Sequence, residues 1–373
     1  MPRFLHTADW QIGRYFKRFD TDNSSALADA RYGAIERLAQ LAVEHNCDAV
    51  LVAGDVFDAQ TVSDRCIRRT FNATSGFKGP WVMLPGNHDA ALAESVWTRA
   101  RRINAVPNNV HLALQSGVIE LPQQKIAVLV APLTQRHTYD DLTAPFDSIS
   151  TPPQWLRVGL AHGSVQGVLA DDIDATNPIA ADRSASAALD YLALGDWHGL
   201  KQINERTWYS GTPEPERFRN NQPGFALLVT VSEAGALPEV EALETARYHW
   251  HQWQEKLLVE TDIDELLKRL DALPESSVLD LKLEGSITLA GEQRLVDAVS
   301  RAEARYRSVT YDRSRLLLAP TEEDLAGLQA SGYVGDVLEQ LQTRQNGAEA
   351  QTARDALAIL ASLLLETRKE KHP

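Results

Sequence analysis

Basic residues are in deficit in this 373-residue chain: 37 lysines and arginines face 51 aspartates and glutamates, a formal net charge of −14 at pH 7. The chain alone is therefore not expected to grip nucleic acid through an extended basic surface, because phosphate-backbone affinity comes from clustered Lys and Arg. Metals that cancel local carboxylate charge, or a partner subunit with a basic surface, would remove that objection. Salt adaptation or solubility would equally account for an acidic surface. Cysteine is nearly missing, and Cys47 and Cys66 give no disulfide framework, as in a reduced cytoplasm. No apolar run is long enough to cross a bilayer. Phe4 and Leu5 open a strand almost at once, which leaves no room for a secretory signal. A cytoplasmic protein without membrane contact is expected. Glycine (21) and proline (17) are too few to imply disorder, and neither a repeat nor a low-complexity tract is evident.

With 44% hydrophobic and 24% charged residues, a chain of this length holds a large core and is expected to divide into more than one domain. Short runs rich in Val and Leu recur at residues 49–53, 81–84, 125–131, 156–160 and 191–194. Each is closed by Gly, Pro or a polar cluster, the pattern of strands buried on both faces. Helical stretches alternate with them. Ser24 or Ser25 is placed to cap a stripe of Leu27, Ala30, Ala34, Ile35, Leu38 and Leu41; Ser63 caps Ile67, Thr70 and Phe71; a third helix is expected over 91–104. The alternation predicts α/β layers. Strands at 207–210 and 225–231, without long helices between them, predict a second sheet packed on the first.

The character changes near Leu237-Pro238. An aromatic strand from Tyr248 and Trp250, a helix over 262–273, a strand alternating at Leu279, Leu281 and Leu283, a helix over 292–305 and a strand over 308–318 predict a small α/β unit. It carries no cluster of catalytic residue types, so substrate shaping is its expected role. Two tail helices, 324–342 and 348–371, are separated by Asn346-Gly347. The last has an apolar stripe through Ala356, Ile359, Leu360, Leu363 and Leu364 that either packs on its own chain or docks on a partner. The expected divisions are 1–236, 237–319 and 320–373.

Polar motifs stand where the apolar runs end: His6-Thr7-Ala8-Asp9-Trp10-Gln11, Gly54-Asp55-Val56-Phe57-Asp58, Gly86-Asn87-His88-Asp89, Ala161-His162-Gly163 and Gly195-Asp196-Trp197-His198. Taken together they describe one site that hydrolyses a phosphate ester with two bridged divalent metals, which can clamp the attacking water and the leaving oxygen. A carboxylate shared by both ions is needed, and Asp55 is the natural bridge. Asp9 can ligate one metal and the Asn87 carbonyl the other. His162 and His198 offer imidazole nitrogens, which suit manganese, iron or zinc better than magnesium. His88 is then free to approach the scissile phosphate and help protonate the leaving oxygen, with Asp89 orienting its ring. Taken singly, most of these motifs are weak, since Gly-Asp turns and buried histidines are common. Their order carries the reading.

These blocks, in this order, resemble the calcineurin-like metallophosphoesterase superfamily, and within it the nuclease subunits of bacterial SbcCD and their archaeal and eukaryotic double-strand-break repair relatives. His6-Thr7-Ala8-Asp9-Trp10, Gly54 to Asp58, and Tyr209-Ser210-Gly211-Thr212-Pro213 carry the likeness over roughly the first 230 residues. The resemblance implies a four-layer α/β sandwich, two packed mixed sheets flanked by helices, with a smaller α/β capping domain and a helical C-terminal tail that binds an ATPase. It also implies a manganese-dependent DNA exonuclease, with endonuclease activity, magnesium or iron being alternative metals. Implied partners are single- or double-stranded DNA ends, an SMC-like ATPase of the SbcC type, and a second copy in a homodimer. Two positions depart from the pattern. Gln11 stands where the first motif has histidine, a weaker neutral donor, and Asp196 replaces the first histidine of the last motif and favours harder ions such as manganese or magnesium. Each metal site thus carries one substitution, a retuned site or a weakened one.

Basic clusters at Arg14, Lys17 and Arg18, at Arg65, Arg68 and Arg69, and at Arg99, Arg101 and Arg102 are ordinarily solvated faces. The first follows Gln11, and Tyr15, Phe16 and Phe19 beside it could stack on an unpaired base. His6 is expected to hold the first motif's loop, and no second metal site is expected at His249 and His251. Two rival functions keep part of this reading: a metallophosphatase or phosphodiesterase for small molecules or phosphoproteins, and a non-catalytic scaffold subunit of a repair complex.

Overall fold

The computed structural model describes residues 1–168, 176–319, 332–344 and 350–371. It divides into two compact units, Met1–Tyr248 and His249–Pro373. In the first unit, β1 (Arg3–Thr7), β2 (Ala49–Ala53), β3 (Trp81–Leu84) and β4 (Val110–Leu112) run parallel side by side. A second sheet is built from β5 (Gly117–Leu121), β6 (Ile126–Ala131), β7 (Leu156–His162), β10 (Tyr191–Gly195), β11 (Lys201–Asn204) and β12 (Thr207–Tyr209) in the order 11-12-10-7-6-5. Between β7 and β10 in sequence lies a short pair, β8 (Ser164–Val165) with β9 (Pro178–Ile179). Two antiparallel strands, β13 (Phe225–Thr230) and β14 (Glu239–Glu244), complete the first sheet in the order 14-13-1-2-3-4.

Period-two burial explains why these apolar runs become central strands. Phe4, Leu51, Val82 and Leu84 point into a core shared with Val128, Val130, Val158, Leu160, Tyr191 and Ala193 of the other sheet. Their neighbours Leu5, Val50, Val52, Trp81 and Met83 turn outward. There they meet α1 (Thr21–Glu44), α2 (Asp64–Ala73) and α3 (Val96–Arg102) through Ile35, Leu38, Ile67, Phe71 and Trp97. The outer face of the second sheet, with Leu129, Leu192 and Leu194, is covered by Phe146, Ile179 and Leu189, the last just after the one-turn α4 (Arg183–Ser186). The two mixed sheets with helical cover form the expected sandwich.

Ser63 caps α2 as expected, accepting from Cys66 N. Two other helix starts differ. Asp20, not Ser24 or Ser25, caps α1 by accepting from Asn23 N. Residues 91–95 do not join α3, because Gln60 brackets the loop: its Nε2 donates to Ala90 O and its Oε1 accepts from Val96 N, both at 2.8 Å. The boundary expected at Leu237-Pro238 also moves, because β14 lies beyond it and pairs with β13, keeping the first unit intact to Tyr248.

The second unit has three parallel strands, β15 (His249–Leu257), β16 (Ser277–Ile287) and β17 (Ser308–Leu318), in sequential order. They are linked by α5 (Glu260–Ala272) and α6 (Leu289–Arg305), which pack Ile263, Leu266, Leu295 and Val299 on Leu279, Leu281 and Leu283. The tail helices are α7 (Tyr333–Arg344) and α8 (Ala350–Lys371). Leu338 and Leu357 pack on Leu289. Of the stripe expected on the last helix, Leu360 joins this cluster while Ile359 and Leu363 are exposed; buried Ala353 and Leu357 lie off that stripe. Asp324, Asn346, Gly347, Ala348 and the Leu364 side chain lie outside the described residues.

Candidate metal centre

Parallel strands present all their C-terminal ends on one edge, so the loops after β1, β2, β3, β7 and β10 meet there. The first two loops run together: Asp9 N donates to Gly54 O at 3.0 Å, and Gln11 N to Asp55 O at 2.9 Å. Asp9, Gln11, Asp55 and Asp196 all adopt positive φ, at 55°, 49°, 53° and 104°. Left-handed backbone at a non-glycine residue costs about 1–3 kcal/mol and concentrates at functional sites. Four such residues in one place mark this edge as built for side-chain placement.

Asp9, Asp55 and His162 are buried and bring one ligand atom each to within 4.8 Å of one another. His162 Nδ1 lies 2.8 Å from Ala53 O and so donates to it. Its Nε2 then faces Asp55 Oδ1 and Asp196 Oδ1, each at 3.7 Å, with no hydrogen-bond partner. The spacing needs glycine at two points. A Cβ on Gly54, which has φ +93°, would lie 2.2 Å from His162 Nδ1, and one on Gly86 would lie 2.2 Å from Asp55 Oδ1. Asp55 is held by His88 N on Oδ1 at 2.9 Å and by Gln11 Nε2 on Oδ2 at 2.7 Å. The Asp196 backbone N–H donates to Asp9 Oδ1 at 3.1 Å.

Gln11 Oε1, Asn87 Oδ1 and His162 Nε2 are buried here without hydrogen-bond partners. Buried acceptors are rarely left unpaired, and these three, set among carboxylates, fit a divalent cation with mixed oxygen and nitrogen donors. The electrostatics agree. Burial pushes Asp9 up to about 6, although His198 and His162 act to lower it. Burial lowers His162, but Asp55, Asp9 and Asp196 outweigh it and push the imidazole up to about 9. Burial also raises Asp196. Surplus negative charge therefore retains protons that a metal would displace.

Each expected ligand reaches this edge, though by different contacts. Gln11 engages the Asp55 carboxylate through its amide nitrogen, leaving its carbonyl as the atom available to a cation. His198 stands outside the tight trio, within electrostatic reach of Asp9, and its Nδ1 is 2.6 Å from Glu216 Oε1. His88 lies half-buried at the mouth, with Nδ1 2.9 Å from the Asp58 carbonyl. That contact corrects the role expected for Asp89. The Asp89 carboxylate accepts from Gly86 N at 2.6 Å and Phe57 N at 3.1 Å, and its carbonyl accepts from Trp97 Nε1 at 2.5 Å. It pins the Gly86–Asp89 loop to the Asp55 loop and does not orient the His88 ring. Burial and Asp55 push its carboxyl up to about 8 against those two backbone donors.

The mouth beside His88 is lined by Arg14, Tyr15, Lys17, Gln60 and Arg136. Of the aromatic trio read from sequence, Phe16 is buried and packs edge-on against Phe19, so Tyr15, 82% exposed, is the ring presented to solvent. Arg14 is committed to Asp58 and Glu216. His6 does not brace the first loop; it joins β1 to β10 through Tyr191 OH and Leu194 O.

Three supporting residues escaped sequence reading. Arg31 of α1 is buried and donates to Trp10 O, Glu214 O and Thr212 Oγ1, tying the first loop to the turn after β12. Glu214 accepts from Arg247 N and Tyr248 N. Glu216, buried, accepts from His198; burial raises its carboxyl, but the hydrogen bond and charge of His198, with Arg31 and Arg14, hold it well below the usual range. The one available signal was a pair of glutamates flanking Pro215, directly after the Tyr209–Pro213 motif.

Two packed mixed sheets whose strand ends gather carboxylates, amides and imidazoles into one buried cluster make an α/β sandwich with a candidate metal site. The chain belongs to the calcineurin-like phosphoesterase family, which residues 2–230 match; it is a phosphoesterase family whose members use divalent metals. Its relatives include the DNA double-strand break repair protein Mre11 of Methanosarcina acetivorans, 27% identical over 62% of this chain and 37% of that protein. The D component of the SbcCD nuclease of Bacillus subtilis is 25% identical over 69% of each chain, and that of Escherichia coli K12 is 26% identical over 65% of this chain and 68% of that one. The matches span less than half the length of the two Methanosarcina proteins, at 37% and 46%. Among solved structures, that of TT1561 of Thermus thermophilus aligns with 65% of this chain and 99% of that one at a TM-score of 0.42 and 13% identity.

Proposed function

We propose that the protein is a two-metal phosphodiesterase that cuts DNA, as an exonuclease with endonucleolytic activity, in double-strand-break repair or recombination alongside an SMC-like ATPase subunit. One observation carries the reading: the buried convergence of Asp9, Asp55 and His162 with the unpartnered Gln11 Oε1 and Asn87 Oδ1. The names of the Mre11 and SbcCD relatives point to DNA as the substrate and to a partner subunit. Asp9, Gln11, Asp55 and His198 would hold one ion and Asp55, Asn87, His162 and Asp196 the other, manganese suiting this mixture of carboxylate and imidazole. When bound, such ions supply Lewis acidity at the phosphoryl oxygens and lower the pKa of water.

The remaining work falls to the chain. His88 holds its ring through Nδ1–H to the Asp58 carbonyl and, when protonated, presents Nε2–H to the departing oxygen. Lys17 and Arg136 at the mouth offset the acidic surface locally, and Tyr15 offers a face to an unstacked base. The second unit serves as the capping domain and the tail helices as the partner-docking region.

Purified protein should cleave linear DNA with manganese. Asp55→Ala should lose both cleavage and metal. His88→Ala should keep its metal and lose a factor of about 10²–10⁴ in rate. Hydrolysis of a generic phosphodiester but not of DNA, alone or with the ATPase, would transfer the proposal to a small-molecule substrate. Failure to bind metal would leave a scaffold.

A further inference from the structure

Glu216 stands 18 residues beyond His198 in sequence, yet its carboxylate lies 2.6 Å from His198 Nδ1 and its side chain is 1% exposed. The geometry of the ring follows from this contact. A carboxylate beside Nδ1 keeps the proton on that nitrogen, which leaves the lone pair on Nε2, where it could take a cation. Arg14 Nε is 3.0 Å from Glu216 Oε2 and Arg217 Nε is 3.2 Å from Oε1. Two guanidinium groups thus offset a carboxylate that would otherwise be costly to bury. The other imidazole of the cluster is held differently: His162 donates to the neutral carbonyl of Ala53. Of these two rings, His198 is the one whose Nδ1 is held by a carboxylate. Arg14 also reaches Asp58 Oδ1 at 3.2 Å, so the turn carrying Glu216 is tied to the loop whose carbonyl holds His88.

We propose that Glu216 is a positioning residue for the metal centre, fixing the tautomer and orientation of His198 so that its Nε2 completes the Asp9 site. This rests on the metal-centre reading above. A purely structural ion pair pinning the turn after β12 is the competing explanation, and the experiment is chosen to separate them.

Manganese binding to the 373-residue chain is followed by calorimetry and by electron paramagnetic resonance for wild type, Glu216→Gln, Glu216→Asp, His198→Ala and the Glu216→Gln/His198→Ala pair. Glu216→Gln keeps the size and an acceptor oxygen but removes the charge, and it is compared with wild type at a temperature where both metal-free proteins are folded. Its affinity for one manganese should fall by about 10- to 100-fold, with a changed resonance spectrum, and Glu216→Asp should recover part of the loss. Because the effect runs through His198, the pair should bind no more weakly than His198→Ala alone. Additive losses in the pair, or unchanged affinity in Glu216→Gln, would overturn the proposal while leaving the metal centre standing. Wild-type protein that takes up no manganese would overturn both.

Discussion

At the scale of single residues, His6 shows how the two sheets are locked together and what that costs in acid. It is fully buried, with Nδ1 3.0 Å from Tyr191 OH and Nε2 3.1 Å from Leu194 O. Burial holds its pKa down at about 3, against the opposing effect of the Leu194 carbonyl, from an ordinary value of 6.5. Between those values the unfolded chain takes up a proton that the folded protein refuses. The stability tied to neutral His6 is therefore complete above pH 6.5 and drains away as pH falls toward 3. At roughly 1.4 kcal/mol per pKa unit the loss reaches several kcal/mol. Urea unfolding with chelator at pH 7.5 to 4.5 should show wild type losing stability with a slope about one proton steeper than His6→Gln. Matching slopes would mean that His6 charges without penalty. The same scale separates what sequence reveals from what it hides. Asp9, Asp55, Asn87, His162 and Asp196 were legible because each stands in a polar motif closing an apolar run. Glu216 and Arg31 were not, because their roles come from partners such as His198 and Glu214 that only folding brings near.

At the scale of elements, α1 does more than cover a sheet. Its apolar stripe was readable at helical spacing, and Leu27, Ala30, Ala34, Ile35, Leu38 and Leu41 are all buried as expected. Arg31 sits within that buried face, where a charge contradicts the pattern, and it supports the site from behind. Its donors reach Trp10 O at 2.7 Å, Glu214 O at 3.0 Å and Thr212 Oγ1 at 3.2 Å. Arg31→Met would keep helical propensity and bulk but strand those acceptors, costing roughly 2–5 kcal/mol. The larger consequence is for the loop carrying Asp9. Manganese should raise the melting temperature of wild type more than that of Arg31→Met, measured against each metal-free form. An equal rise in both would show that α1 supports the fold without placing the ligand loop. Strand interiors were legible for a related reason: burial on both faces demands continuous apolar sequence. Helix starts were less so, because the bonds that decide them, such as Gln60 to Ala90 and Val96, come from other elements.

At the scale of the whole molecule, every candidate ligand and His88 lie within Met1–Tyr248, while the second unit has a separate core around Leu279, Leu281 and Leu295. The change of character near Leu237 was visible in sequence, but the boundary was not. The pairing of Glu239–Glu244 with Phe225–Thr230 assigns that segment to the first sheet. If the second unit shapes substrate and takes no part in the chemistry, the two activities should separate on truncation. A fragment of residues 1–248 should fold, bind manganese and hydrolyse bis-p-nitrophenyl phosphate at a rate within a few-fold of the full chain, a small ester needing only the cluster. Its cleavage of linear DNA should fall much further. With a net charge of −14 the full chain repels DNA at long range, so contacts from the second unit would be felt mainly on that substrate. Equal losses on both substrates would assign the second unit to holding the metal centre in shape.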